Sequence, residues 1–428
     1  MNYEKYLRKI KILVRRDDVM INNDLTIGYL PDERPPAWKL LLYALQQVIV
    51  MFPATVAVAL ITGFHISTTI FASGLATIVF IFVTGRKIPL YYGSSFSYVA
   101  AIAGLMSSEA LAGYALNDRI AVAQFGIIMS GLISIAAGLI VNRFGQESIE
   151  KVLPASVTGP IAMVIGLTLA GTALSDAASI AIDAAGTPAV AESQAEFARN
   201  MAWIISLSTM LSTILFSVYL KGFLGQIPLL LGPILGCLVA YIIKLTTGID
   251  LFKILPDTAN TGIFAPPIFT LPKASWMAVA AIMPIAIATI PESTAHVYQL
   301  DIYVNDLARK KNSSKKYNIA ELLGLNLIGD GIGDMVSGLV GGPAGTNYGE
   351  NISAMAITGV FSVPVLIVAS IIAMLIACFT PLINAIYAIP VSVIGGMEIY
   401  LFGAIAAQGI AIMLEKKVDL FSAKNIAI

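Results

Sequence analysis

The chain has 428 residues, of which 57% are hydrophobic and 12% charged, with a mean hydropathy of +0.83. Apolar runs of about 20 residues recur along nearly the whole length, which is the signature of membrane spans and excludes a soluble globular core. The formal net charge is zero, and the charges are segregated into polar breaks rather than pooled on one face, so nothing points to nucleic acid.

Taken in order, residues 1–36 form a basic, polar segment with no apolar run long enough for a signal peptide. Twelve spans are then predicted, near 39–62, 67–84, 88–106, 119–142, 154–174, 201–219, 222–245, 274–297, 318–340, 344–358, 361–380 and 393–414. Cys237 and Cys378 fall inside apolar segments and read as small hydrophobes. Lys and Arg collect in alternate breaks: Lys5 to Arg16, Arg34 and Lys39 at the start, then Arg86 and Lys87, Arg143 and Lys151, Lys221, Arg309 to Lys316, and Lys416, Lys417 and Lys424. By the positive-inside rule the N-terminus is expected in the cytoplasm. The longest opposite loop, 175–200, is acidic, with Asp176, Asp183, Glu192 and Glu196 against Arg199. After LEKKVDLFSAK a new apolar run, NIAI, begins at 425, and the expectation is a sequence cut at the entrance to further spans.

Two of the spans are interrupted by Gly, Ser, Pro and Asn: IPLYYGSSFSYVAAIAG (88–104) and VGGPAGTNYGENISAMAITG (340–359). Either alone reads as a kink or a close helix contact. The pair is separated by roughly the same offset as Gln46-Gln47 and Glu292 in the spans preceding it, and paired broken spans mark the binding site of inverted-repeat transporters. Gly and Ser let the backbone run extended and then start a half-helix whose free amides face a cavity; Phe96 and Gly349 or Glu350 stand about where those amides belong.

Glu350 follows the second break with no Lys or Arg in a nearby span, and Glu292 lies in MPIAIATIPESTAHV with His296 at i+4 on the same helix face. Carboxylates at membrane depth are costly and normally face a cavity, a partner or a substrate. Pro284 and Pro291 are expected to kink the eighth span just before Glu292. Asp330 and Asp334, in GDGIGDMVSG, are expected to face a polar interior, with Gly329, Gly331, Gly333 and Gly338 permitting close helix contact. Enzyme classes fare poorly. GIGD fits the GxGD pattern of intramembrane aspartyl proteases, but no Tyr-Asp dipeptide occurs; two histidines, His65 and His296, cannot build HExxH; and GSSFS is not a GxSxG elbow.

ERPPAWKLLLYALQQVIVMFPATV, GRKIPLYYGSSFSYVAAI, IMPIAIATIPESTAHV and GTNYGENISAMAIT together resemble the nucleobase-ascorbate (nucleobase/cation symporter-2) transporters, and among them the bacterial uracil/proton symporters. The resemblance covers Arg34 to the end. It implies an all-α polytopic membrane protein of fourteen spans in two inverted halves of seven, of which twelve are seen here, with short paired strands in the third and tenth spans. Residues 37–145 and 274–380 would form a core domain, and 146–255 and 381–428 a gate domain lacking spans thirteen and fourteen. Carried over, Glu292 and Glu350 would bond the nucleobase ring, the amides of Phe96 and Gly349 its carbonyls, and Glu292, His296 and Glu350 would couple protons. Tyr348, Gln47, Ser95 and Asn347 would support the site. Glu350, where xanthine and urate carriers tend to have Gln, favours uracil. The chain departs from the family pattern at Gln47, Pro291, Ser353 and Gly359. The function implied is proton-coupled import of a nucleobase across the cytoplasmic membrane, by a protein that is not an enzyme, needs no metal or cofactor beyond H+, binds no nucleic acid and is a candidate homodimer. A xanthine or purine permease is the alternative in the same class, and an anion exchanger or channel of the related sulfate/bicarbonate fold the alternative in another.

Overall fold

The computed structural model describes residues 28–145, 154–180, 190–253, 262–415, 417–419 and 421–422. The basic residues 5–16, Lys151, Asp183, Lys416, Lys424 and the terminal run 425–428 lie outside the described residues. Among the described residues, eight helical segments are long and apolar enough to cross a membrane, and the protein is a multi-pass, multi-helix membrane protein.

The helices are α1 (Ala37–Thr62), α2 (Ile66–Val83), α3 (Val99–Met106), α4 (Leu116–Phe144), α5 (Ala155–Thr168), α6 (Ala170–Ala177), α7 (Ala195–Tyr219), α8 (Pro228–Thr247), α9 (Trp276–Ile282), α10 (Ala286–Lys310), α11 (Leu323–Val340), α12 (Gly349–Thr358), α13 (Val363–Ile376), α14 (Thr380–Tyr387) and α15 (Val391–Glu415). The four expected spans outside the eight are shorter or less apolar. Those at 88–106 and 344–358 are each a strand followed by a short helix, at 318–340 lies the Gly- and Asp-bearing α11, and at 361–380 the fourteen-residue α13. The fifth span is divided at Leu169 into α5 and α6.

The two prolines of the eighth span behave differently. Pro284 sits in a 3-10 turn, Met283–Ile285, that separates α9 from α10. Pro291 lies inside α10, which runs through it unbroken. The helix is thus interrupted at Pro284 and continues through Pro291, as it can where neighbouring helices satisfy a carbonyl freed by proline.

Two groups of helices form. In the first, α1, α2, α4, α10, α11, α12 and α13 share one apolar core that includes Met51, Ile70, Phe80, Val297, Leu327 and Ile352. In the second, α15 packs on α5, α6 and α7, and α7 on α8. Ala57, Val58 and Val99 meet Leu169, Ala173, Ile394 and Leu401 at the seam between them.

Glycines set the closest helix contact. A Cβ on Gly331 would strike the carbonyl of Gly131, and one on Gly131 would strike that of Gly331; Gly138 and Gly324 repeat the arrangement two turns away. Close backbone approach of this kind is what drives helix association in lipid, where the solvent is as apolar as the side chains. Gly331→Ala is accordingly expected to destabilise the protein by about 1–3 kcal/mol, read as a lower melting temperature in detergent. An unchanged melting temperature would show that α4 and α11 can separate freely.

The described N-terminal residues strap the first group on its polar side. Tyr29 pairs with Val360 just beyond α12, Glu33 accepts from Lys311 at 2.5 Å, and Asp32 from Lys315 at 2.7 Å.

Candidate functional site

The two broken spans meet. β1 (Tyr92–Ser94) pairs antiparallel with β2 (Gly345–Asn347) in the register Tyr92 to Asn347, Gly93 to Thr346 and Ser94 to Gly345. The ladder is prolonged at both ends, since the Ser95 amide donates to the Ala344 carbonyl at 3.0 Å and that of Tyr348 to the Tyr91 carbonyl at 2.9 Å. Extended backbone at membrane depth survives only where protein satisfies it, and here both strands are fully buried. Ser73 and Thr77 of α2 donate to the Tyr92 carbonyl, each at 2.9 Å. Gly93 lies against the Tyr348 ring and Gly345 against that of Tyr92, so no larger residue fits at either place.

Each strand leads into a half-helix. Ser95 caps the first, accepting from the Ser97 amide at 3.3 Å, and Phe96 opens it with a 3-10 turn that continues as α3. Gly349 opens α12. The first amides of a helix have no partner within it and are free to donate outward. Because the strands are antiparallel, the half-helices leave the pair at opposite ends.

Between them lies a cavity of about 280 Å³, lined by Ser94, Ser95, Phe96, Glu292, His296, Thr346 and the run from Asn347 to Glu350. Glu292, His296, Glu350, Phe96, Gly349, Tyr348, Ser95 and Asn347 are thus brought to one place from three distant parts of the chain. Ser97 Oγ donates to the Glu292 carboxylate at 3.4 Å. His296 packs against Gly349, where a Cβ would come within 2.8 Å of Nε2, and its Nδ1 has no partner. Tyr348 reaches across the crossing: its hydroxyl shares a 2.9 Å hydrogen bond with Thr55 and donates to the Ser94 carbonyl at 3.0 Å. Gln47 is the exception, for it does not line the cavity. It is buried behind α12, where its Oε1 accepts from Asn351 Nδ2 at 2.8 Å and its backbone carbonyl from the same nitrogen at 3.0 Å.

Beneath the crossing stands a polar layer that reading the residues one by one did not place in the site. Asp334 accepts from the Tyr92 hydroxyl and, at 2.7 Å, from the Gly345 amide, so it holds both strands. Asp330 accepts from Ser293 and, at 3.2 Å, from the side-chain amides of both Asn326 and Asn347. Asn347 also donates to Ser293 and to Asn326 Oδ1, each at 3.1 Å. The available signal was the spacing Asn326, Asp330, Asp334, which puts three polar side chains on one stripe of α11.

A second cavity, of about 390 Å³, shares Phe96, Glu292 and Glu350 with the first. Ser97 and Ser353 add to that side, and the facing wall comes from the other helix group: Pro228 and Leu229 of α8, and Tyr400, Leu401, Ala404 and Ile405 of α15. The carboxylates therefore stand where the two groups face each other. Among the described residues, no group of three or more His, Cys, Asp or Glu side chains could hold a metal ion.

Comparison with known proteins agrees with this architecture. A family model described as a permease family (Xan_ur_permease) matches residues 38–428. The chain is 33% identical over 396 residues to a uracil permease of Escherichia coli K12, covering 92% of this chain and 83% of that protein. It is 33% identical over 403 residues to a uracil permease of Bacillus caldolyticus, covering 92% and 84%, and 31% identical over 397 residues to a putative pyrimidine permease of E. coli K12, RutG, covering 92% and 82%. Among solved structures, the transmembrane domain of the cyanobacterial bicarbonate transporter BicA superposes with a TM-score of 0.57 at 15% identity, covering 91% of this chain and 99% of that one. SLC26A9 superposes with a TM-score of 0.59 at 14% identity, covering 90% and 59%; at such identities the likeness speaks for the fold alone. With a strand crossing, two half-helices and a family match across nearly its whole length, the chain belongs to the xanthine/uracil permease (nucleobase/cation symporter-2) family, and it is a membrane transporter rather than an enzyme.

Proposed function

We propose that the chain imports a nucleobase, uracil foremost, across the cytoplasmic membrane together with protons, by movement of a core domain (37–145 and 274–380) against a gate domain (146–255 and 381–428), with the N-terminus in the cytoplasm. The single observation that carries this reading is the 280 Å³ cavity in which Glu292 and Glu350 face the openings of two half-helices. Its volume is at the small end of ligand pockets, which span roughly 300–1,000 Å³. Uracil presents two N–H donors and two carbonyl acceptors on one small plane; the carboxylates accept from the former, and the amides of Phe96 and Gly349 donate to the latter. A neutral solute gains nothing from the membrane potential, so its accumulation requires a coupled ion. Carboxylates beside the substrate supply a place for the proton, and His296, with an unpartnered nitrogen in the same cavity, a route to it.

The inverted repeat of two seven-span halves belongs to the same reading, supported by the antiparallel pairing of β1 and β2 and by the fold shared with BicA and SLC26A9. An anion would meet two carboxylates in this cavity, which disfavours exchange of the bicarbonate type. Cells expressing the protein are expected to take up labelled uracil, to lose that uptake on addition of a protonophore, and to retain it in the presence of excess unlabelled xanthine. Competition by xanthine at uracil-like concentrations would move the assignment to a purine carrier, and a chloride-dependent current indifferent to nucleobases would end it.

A further inference from the structure

Away from both cavities, the second helix group buries a carboxylate that the substrate site does not use. Glu398, on α15, is 0% exposed, and neither of its oxygens meets a hydrogen-bond donor. Its neighbour is another acid: Asp176, at the end of α6, interacts electrostatically with it. The two helices are held together at this height by Gly395, where a Cβ would run into the backbone of Asp176 and Ala177. Lys253, on the segment after α8, is the charged group that faces both acids, and it forms no ion pair with either within 4.0 Å among the described residues. Its backbone is fixed there by a 3.1 Å bond to the Ala388 carbonyl, just before α15. At this height α7 presents Ser206 and Thr209 to Gly396, and among the described residues Lys253 is the charged group whose interaction with the two acids is resolved.

Two ionised carboxylates are both acceptors and cannot bond to each other, and at contact distance they repel too strongly for both to be charged. A carboxyl–carboxylate bond, by contrast, satisfies both groups and leaves a single negative charge, which Lys253 offsets. An unpaired buried charge would cost several kcal/mol, so the neutral combination of one proton, two acids and one lysine is the favoured one.

We propose that Asp176 and Glu398 share one proton and form a second proton-binding centre of the transporter, in the gate rather than beside the substrate. Glu398 is wholly buried and Asp176 half-buried at the end of its helix, so the proton enters and leaves through Asp176. Losing it leaves two adjacent carboxylates that push α6 and α15 apart. Tyr400 and Leu401, two and three residues beyond Glu398, line the second cavity, so this strain reaches the wall that faces Glu292 and Glu350. The consequence for transport rests on the function proposed above; the shared proton does not.

Infrared difference spectroscopy of the purified full-length chain across pH reads the proton directly. The wild type is expected to show a pH-dependent band of a protonated carboxyl that is lost in both Glu398→Gln and Asp176→Asn, and whose titration moves to higher pH in Lys253→Met, where the offsetting charge is gone. A spectrum in the folded single variants identical to the wild type, or an unshifted titration in Lys253→Met, overturns the proposal; should either acid variant fail to fold, the other and Lys253→Met decide it. In transport, Glu398→Gln is expected to keep thermal stabilisation by uracil while shifting the dependence of uptake on external pH. A wild-type pH profile in that variant overturns the coupling. Absence of uracil stabilisation and uptake in the wild type would instead refute the proposed function and leave the infrared result to judge the carboxyl pair.

Discussion

Labelled-uracil uptake is expected to fall to background in both Glu292→Gln and Glu350→Gln, with different causes that binding separates. In the proposed function each carboxylate accepts an N–H from the substrate, and a hydrogen bond to a charged group contributes about 1.5–3 kcal/mol. At about 1.4 kcal/mol per decade, losing one weakens affinity by about tenfold to 100-fold. Glutamine keeps an acceptor oxygen and the size of the side chain, so a variant that retains binding yet fails to accumulate uracil has lost the proton site and not the substrate contact. Glu292, which accepts from the Ser97 hydroxyl at 3.4 Å, is expected to behave in that way. Glu350, on the first turn of α12, is expected to lose binding as well. Undiminished uptake in both variants would remove these residues from the site.

Asp334→Ala is expected to be the most damaging substitution outside the cavity. The carboxylate is 2% exposed and accepts from the Tyr92 hydroxyl on β1 and from the Gly345 amide on β2. Without it two buried donors are left unsatisfied, at about 1–3 kcal/mol each, and the strands lose their common anchor. Both half-helix openings are positioned by that strand pair, so uracil binding should fall together with the melting temperature. Asp334→Asn, which keeps one acceptor oxygen for the amide, should recover part of the stability. Equal melting temperatures for Asp334→Ala and the wild type would show that the crossing stands without this carboxylate.

How much of this was legible in the chain depends on the range of the signal. The spans were legible because hydropathy is local: 88–106 and 344–358 declared themselves broken through their own Gly, Ser and Pro, and Glu292 and Glu350 through their cost in apolar surroundings. Whether a proline ends a helix was less legible: the helix stops at Pro284 and runs on through Pro291. Gln47 was expected to support the site, and its partner, Asn351, was not legible, because a buried amide takes whichever partner the packing brings.

The residues by themselves determined that this is a polytopic membrane transporter, that it carries two interrupted spans and two carboxylates at membrane depth, and which family it resembles. Those properties follow from composition, from short motifs and from the price of charge in lipid, all of which act over one or two helical turns. Only the tertiary structure decided the register of Tyr92 with Asn347, the anchoring of both strands on Asp334, and the meeting of Asp176 with Glu398 across more than two hundred residues. Such contacts join segments with no local correlation, and a polar side chain in a membrane chain acquires its role from the partner that burial gives it.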